Sequence, residues 1–139
     1  MTVSEASMRS SLEIQRALAA ALGGDAVLRT LAIPIFDGPP VDARPPYLSI
    51  GTDIVVSRPW QGGGGQEHRF TVNLWDGREG LAAAKAMLAE VERVVLALPI
   101  RVAGVRLVGL RLLRSSVRRT QRGWTLGQLE FRVLSVREN

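Results

Sequence analysis

The 139-residue sequence predicts one α+β domain spanning residues 1–139, a mainly antiparallel or mixed sheet of about four strands with an N-terminal helix and one long central helix packed on it. Three observations predict this. Apolar residues recur at helical spacing near the N-terminus and again, more regularly, across residues 81–98. Period-two alternation marks "HRFTVNLW" before the second helix and "LEFRV" near the C-terminus. Turn-forming residues separate these stretches, and no internal repeat is present.

At the N-terminus, Thr2 and Glu5 fit a capping box, in which a hydroxyl and a carboxylate satisfy the free amides of a first turn. Met8, Leu12, Leu18 and Leu22 then form an apolar stripe that stops at Gly23 and Gly24. Asp25 is placed to cap a short second turn through Ala26, Val27, Leu28 and Leu31. Residues 33–46 hold five of the seven prolines, so they form a crossing loop or a short edge strand. "YLSIG" reads as a strand, which "DIVVSRPW" continues after a bulge or leaves as an extended loop.

In "HRFTVNLW", Phe70, Val72 and Leu74 oppose Arg69, Thr71 and Asn73, the pattern of a half-buried strand. Asp76, with Glu79 three residues on, fits the cap of the central helix, whose apolar stripe is Leu81, Ala84, Leu88, Val91, Val95 and Leu98 before Pro99. Beyond it, Val105, Leu107, Leu110 and Leu112 are apolar around a phase shift at Val108 and Gly109. That shift marks a bulge or a strand buried on both faces. Residues 115–123, "SSVRRTQRG", read as a basic connection, and Leu129, Phe131 and Val133 against Glu130 and Arg132 give the last strand.

Composition narrows the function. With 46% hydrophobic residues the chain has the material for a core, and without cysteine it has no disulfide, thiolate metal site or cysteine nucleophile. That suits an intracellular or virion protein. The polar N-terminus has no export-signal pattern, and charges interrupt the most apolar run, so a soluble protein without membrane contact is expected. The net charge is +5, with Lys85 the only lysine, and from Arg101 onward nine arginines stand against Glu130 and Glu138.

Four glycines, Gly62, Gly63, Gly64 and Gly65, invite a phosphate-loop reading. Such a loop needs a Lys-Ser or Lys-Thr pair and a helix after its glycines, whereas here Gln66, Glu67, His68 and a strand follow. A mobile hairpin tip fits better. His68 is the only histidine; without cysteine partners or a nucleophile pattern it reads as a strand-edge residue, not a ligand or a general base. No catalytic residue, metal site or cofactor is expected. Arg114, Arg118, Arg119 and Arg122 form the best electrostatic candidate, with Trp124 the sole aromatic nearby. A solvated hairpin or a salt-bridging protein interface is expected ahead of a nucleic-acid platform. Trp75 is expected in the core or at the sheet end. Trp60, beside the glycines, is a core residue or an anchor on a partner subunit.

"PPYLSIG", then "EHRFTVNLWD", then "REGLAAAKAMLAEVERVVLAL" resembles the tail-terminator or tail-completion family of long-tailed phages and gene transfer agents. "ALAAALGGDAVLRTL" and "GWTLGQLEFRVLS" extend the likeness over nearly the whole chain. The resemblance implies a non-enzymatic structural virion protein similar to the lambda-type tail terminator. Such a subunit forms a homo-hexameric ring at the head-proximal end of the tail tube, stops tube polymerisation and joins the tail to the head-tail connector. Its implied partners are copies of itself, the tube protein and the connector, with assembly in the host cytoplasm. DNA would pass through the ring lumen without specific binding, so the arginines are expected to face neighbouring subunits or the tube. Trp60, the glycines and the four arginines then become the expected contact residues. The alternatives are a small basic nucleic-acid-binding module and, further off, a hydrolase or metal-dependent enzyme built on His68.

Overall fold

A computed structural model describes residues 3–38, 40–60, 63–78 and 80–137, with side chains for all of these except residues 3–7, 52, 59, 60, 63 and 64. The chain runs α1 (Val3–Gly24), α2 (Ala26–Thr30), β1 (Ile35–Asp37), β2 (Tyr47–Trp60), β3 (Gly63–Asp76), α3 (Ala82–Leu96), β4 (Arg101–Val102), β5 (Val105–Arg119) and β6 (Thr125–Arg137). The strands form one six-stranded sheet in the order β1-β2-β3-β6-β5-β4. Every pairing is antiparallel except the short parallel one between β1 and β2. The α+β class expected from the sequence holds, with six strands instead of about four. The two additions are the shortest strands. Three residues at β1 and two at β4 cannot display a period-two pattern.

All three helices lie on one face. Ile14, Leu18 and Leu22 of α1, Leu28 of α2, and Ala84, Met87, Leu88, Val91, Val94 and Val95 of α3 meet Leu48, Ile50, Phe70, Val72, Leu74, Leu129, Phe131 and Val133 of the sheet. The Phe70 and Phe131 rings stack at 5.4 Å across β3 and β6. Gly127 is a point of close approach between layers: a Cβ there would run into Leu88 Cδ1. Only glycine lets α3 seat its leucine on β6 at that position.

Three expectations change. Asp76 does not cap α3; it ends β3, fully buried, and its Oδ1 accepts from Arg78 Nε at 3.0 Å. The N-cap is Leu81, with no side-chain cap bond; Glu79 and Thr2, the other halves of the expected capping pairs, lie outside the described residues. Asp25 does cap α2, its Oδ2 accepting from Leu28 N at 3.1 Å. Residues 115–119 belong to β5, paired from Ser115↔Leu129 to Arg119↔Thr125, so the basic connection is the short turn at residues 120–124. Polar strand residues facing solvent imitate a loop, because ladder pairing uses only backbone groups. For the same reason glycines enter the ladder: Gly63, Gly64 and Gly65 pair with Trp60, Pro59 and Arg58, and Gly62 lies outside the described residues. The hairpin reading therefore holds, but most of the run is strand.

Candidate interaction surface

The sheet face opposite the helices is covered by no described element. Alternation along each strand decides which side chains reach it, and register shifts reset that alternation. In β2 the shift between Gly51 and Asp53 turns Ile54, Val56 and Arg58 outward. In β5, Arg106 points outward beside Val136. Shifts between Val108 and Arg111 and between Leu112 and Arg114 then place Arg111, Arg114 and Arg118 on that same side. Gly109, at a φ of 67°, sits in the first shift, a conformation that favours glycine. The phase shift expected at Val108 and Gly109 is thus a bulge. A second one four residues on restores the original phase.

Among the described residues the open face carries Arg58 from β2, Arg69 from β3, Arg101 from β4, Arg106, Arg111, Arg114 and Arg118 from β5, and Arg132 from β6, together with the acidic Glu67 and Glu130. Glu67 is 2% exposed because three guanidiniums cover it. Arg132 Nε donates to its Oε1 at 2.8 Å, Arg58 Nη2 to Oε1 at 3.3 Å and Arg69 Nε to Oε2 at 3.3 Å. The bond from Arg132 and the charges of Arg58 and Arg69 hold its carboxyl below the usual glutamate range. Arg58 and Arg69 remain about half exposed, with side-chain exposures of 52% and 48%, so the knot keeps a cationic outer surface. Arg114 lies 3.6 Å from Glu130 with a side chain 80% exposed. The centre of the face is completed by Ser49, Asn73, Gln128 and Thr71; Gln128 Nε2 donates to Asn73 Oδ1 at 3.0 Å.

The two ends of this face differ. Toward the β2–β3 hairpin tip, Val108 of β5 lies beside Leu134 and Val136 of β6, while the exposed Ile54 and Val56 of β2 stand apart from them across Arg69 and Glu67 of β3. At the other end Trp75 stacks on Tyr47 at 6.4 Å and meets Trp124 edge-on at 6.1 Å, with the Arg122 guanidinium 4.5 Å above the Trp124 ring.

Of the residues singled out in the sequence, Arg114 and Arg118 share the open face. Arg119 does not: it lies on the helix side, its Nη1 donating to Arg78 O at 2.9 Å and Thr125 Oγ1 at 3.0 Å. Arg122 sits in the turn over Trp124. Gly62 and the Trp60 side chain lie outside what is described, and Gly63, Gly64 and Gly65 occupy the hairpin end.

His68 is not at a strand edge. It pairs with Val55 and Val133 in the middle of the sheet, is 1% exposed and faces the helices. Its Nε2 lies 2.7 Å from Ser135 Oγ, while Nδ1 has no hydrogen-bond partner. Burial lowers its pKa to about 4. It borders a cavity of about 250 Å³ with Ser11, Gln15, Asp37 and Asp53, where the Ser11 hydroxyl donates to Asp53 and burial raises the Asp53 carboxyl. Among the described residues no group of three His, Asp or Glu side chains is placed to hold a metal ion. Reading the sequence missed Glu67 as the centre of an arginine knot. The signal was present in the alternation, since Glu67 and Arg69 are two apart on one strand face.

A comparison with solved structures and one with protein families agree. A chain in a solved structure described as "Virion of native gene transfer agent (GTA) particle" superposes with a TM-score of 0.76 at 29% sequence identity, covering 90% of this chain and 96% of that one. No curated protein matches. The profile of the family described as "Tail completion protein gp17" matches residues 16–135, from the middle of α1 to near the end of β6. The chain belongs to that family of structural virion tail proteins.

Proposed function

We propose that the protein is a non-enzymatic tail terminator: a homo-hexameric ring on the head-proximal end of the tail tube that stops tube polymerisation and joins the tail to the head-tail connector. The family match over residues 16–135 carries this reading, and the likeness to a gene transfer agent chain supports it. The geometry supplies surfaces suited to a ring. Beyond Ile50, where pairing with β1 ends, no described strand lies along the outer side of β2; the same is true of β5 beyond Leu107. These open edges lie on opposite sides of the sheet. Two different edges favour head-to-tail contacts, which close into rings when the rotation permits. The exposed Ile54 and Val56 on the open edge strand β2 fit a contact between protein subunits.

The test is the mass of the purified protein, alone and after mixing with its cognate tube protein. A hexamer, or a ring formed only on the tube, is expected; a monomer that ignores the tube overturns the proposal. Deleting residues 62–65 is expected to lower the yield of complete particles while the chain stays folded. Undiminished yield would remove the hairpin end from the set of assembly contacts.

A further inference from the structure

We infer that the open face of the sheet docks the phosphate backbone of duplex DNA, independent of base sequence. This goes beyond the terminator reading and does not need the ring. The first support is the distribution of charge. Among the described residues eight arginines and two glutamates share the face, an excess of six, whereas the whole chain carries +5. Among the residues with described side chains, ten basic and eight acidic ones lie off this face, so they offer a second copy no surplus of negative charge. The partner is therefore an anionic molecule other than this chain.

The second support is extent. From Arg106, paired with Val136, to Arg118, paired with Leu126, the arginine row of β5 spans ten residues of β6. At ~3.4 Å per residue this is about 34 Å, close to one turn of B-form DNA. A duplex presents a charge every ~1.7 Å of axis and matches a long basic row better than an isolated acidic side chain does. The third is what fills the middle. Arg69, Arg132, Arg111, Thr71, Asn73 and Gln128 make a centre of charges and amides, whereas the centre of a protein interface is depleted of charge. The stacking aromatics needed for single-stranded nucleic acid are confined to one end, where Trp75 is held between Tyr47 and Trp124.

The bulges give the face its character. Without the two shifts in β5, Arg111 would point toward the helices. Glu67 contributes by gathering Arg58, Arg69 and Arg132 into fixed positions while leaving each guanidinium donors to spare. The proposal gives Arg114 and Arg118 a phosphate partner in place of a neighbouring subunit.

The test uses the full chain and a labelled random-sequence duplex of about 30 base pairs, with binding followed by fluorescence anisotropy as salt rises from about 50 to 200 mM. Three variants are compared with the parent, each checked by thermal melting. Combining R111Q, R114Q and R118Q should weaken binding at least about tenfold and reduce the salt slope by about 2 to 3, as loss of three phosphate contacts requires. Combining R9Q, R16Q and R29Q, an equal charge change on the helix side, should leave the slope nearly unchanged. E130Q, which removes a carboxylate from the face, should tighten binding. Absence of binding at low salt, equal losses from both triple variants, or full competition by polyglutamate at equal charge would each overturn the proposal, the last in favour of an acidic protein partner. Particle assembly is scored separately, so normal tails without DNA binding would sink this inference and leave the terminator reading standing.

Discussion

Gly127 and Leu88 set the spacing between α3 and the sheet, and the pair makes a sharp prediction. Gly127→Ala places a Cβ into the leucine side chain and is expected to cost about 1–3 kcal/mol in urea denaturation. In a Leu88→Ala background the same change should cost much less, because the obstacle is gone. His68 makes a prediction in pH. Its pKa is about 4 when folded and ~6.5 in an unfolded chain, so the unfolded state takes up the proton first. Stability is full above pH ~6.5 and falls as the pH drops toward 4, by up to roughly 3 kcal/mol. His68→Leu should flatten that part of the curve of urea midpoint against pH. Glu67, whose pKa is lowered by its arginines, contributes below it: stability present above pH ~4.3 is lost as the pH falls through its folded pKa. That lower limb should survive in His68→Leu and shrink in Glu67→Gln. At this scale the apolar core was legible, Phe70, Val72, Leu74, Phe131 and Val133 included, because alternation with polar neighbours announces a half-buried strand. The burial of His68 and of Glu67 was not legible, although the Glu67–Arg69 spacing was. Their burial depends on which strands flank β3, and a single strand does not carry that information.

Among the elements, β5 departs furthest from what the sequence suggests. Its bulge was visible as a break in period, but its length was not, since Ser115, Ser116, Arg118 and Arg119 have no apolar partner in alternation and only Val117 packs against the core. The strand persists because β6 offers it a continuous ladder, which is a tertiary cause. Two changes separate the bulge from mere flexibility. Gly109→Ala meets no atom within 4 Å, so its cost is the backbone conformation alone, about 1–2 kcal/mol by thermal or chemical unfolding. Deleting Gly109 instead removes the one extra residue of the bulge and leaves Val108, Leu110 and Arg111 opposite Leu134, Val133 and Arg132 on their present faces, so folded protein is expected to persist, read from yield and size-exclusion profile. The central helix was legible in its stripe and its stop at Pro99, but not in its start, because Asp76 satisfies a capping pattern while serving the end of β3.

For the molecule as a whole, class and layering were legible: two strong helical periods and two clear alternations leave few arrangements other than helices on one face of a sheet. Strand order was not, and with it the collection of arginines from five strands on one face, because sequence separation hides their adjacency. The open outer sides of β2 and β5 have a further consequence, in isotope exchange. β3 and β6 are each flanked by paired strands, so successive amides along them are bonded to one side or the other. Along residues 54–58 and 111–119 only every second amide has a strand to bond, and its neighbours point into solvent. In the isolated chain, deuterium uptake there should alternate fast and slow residue by residue, whereas the central strands should be uniformly slow. Assembly through these edges would slow the fast half of the amides, while docking on the open face would leave the alternation in place.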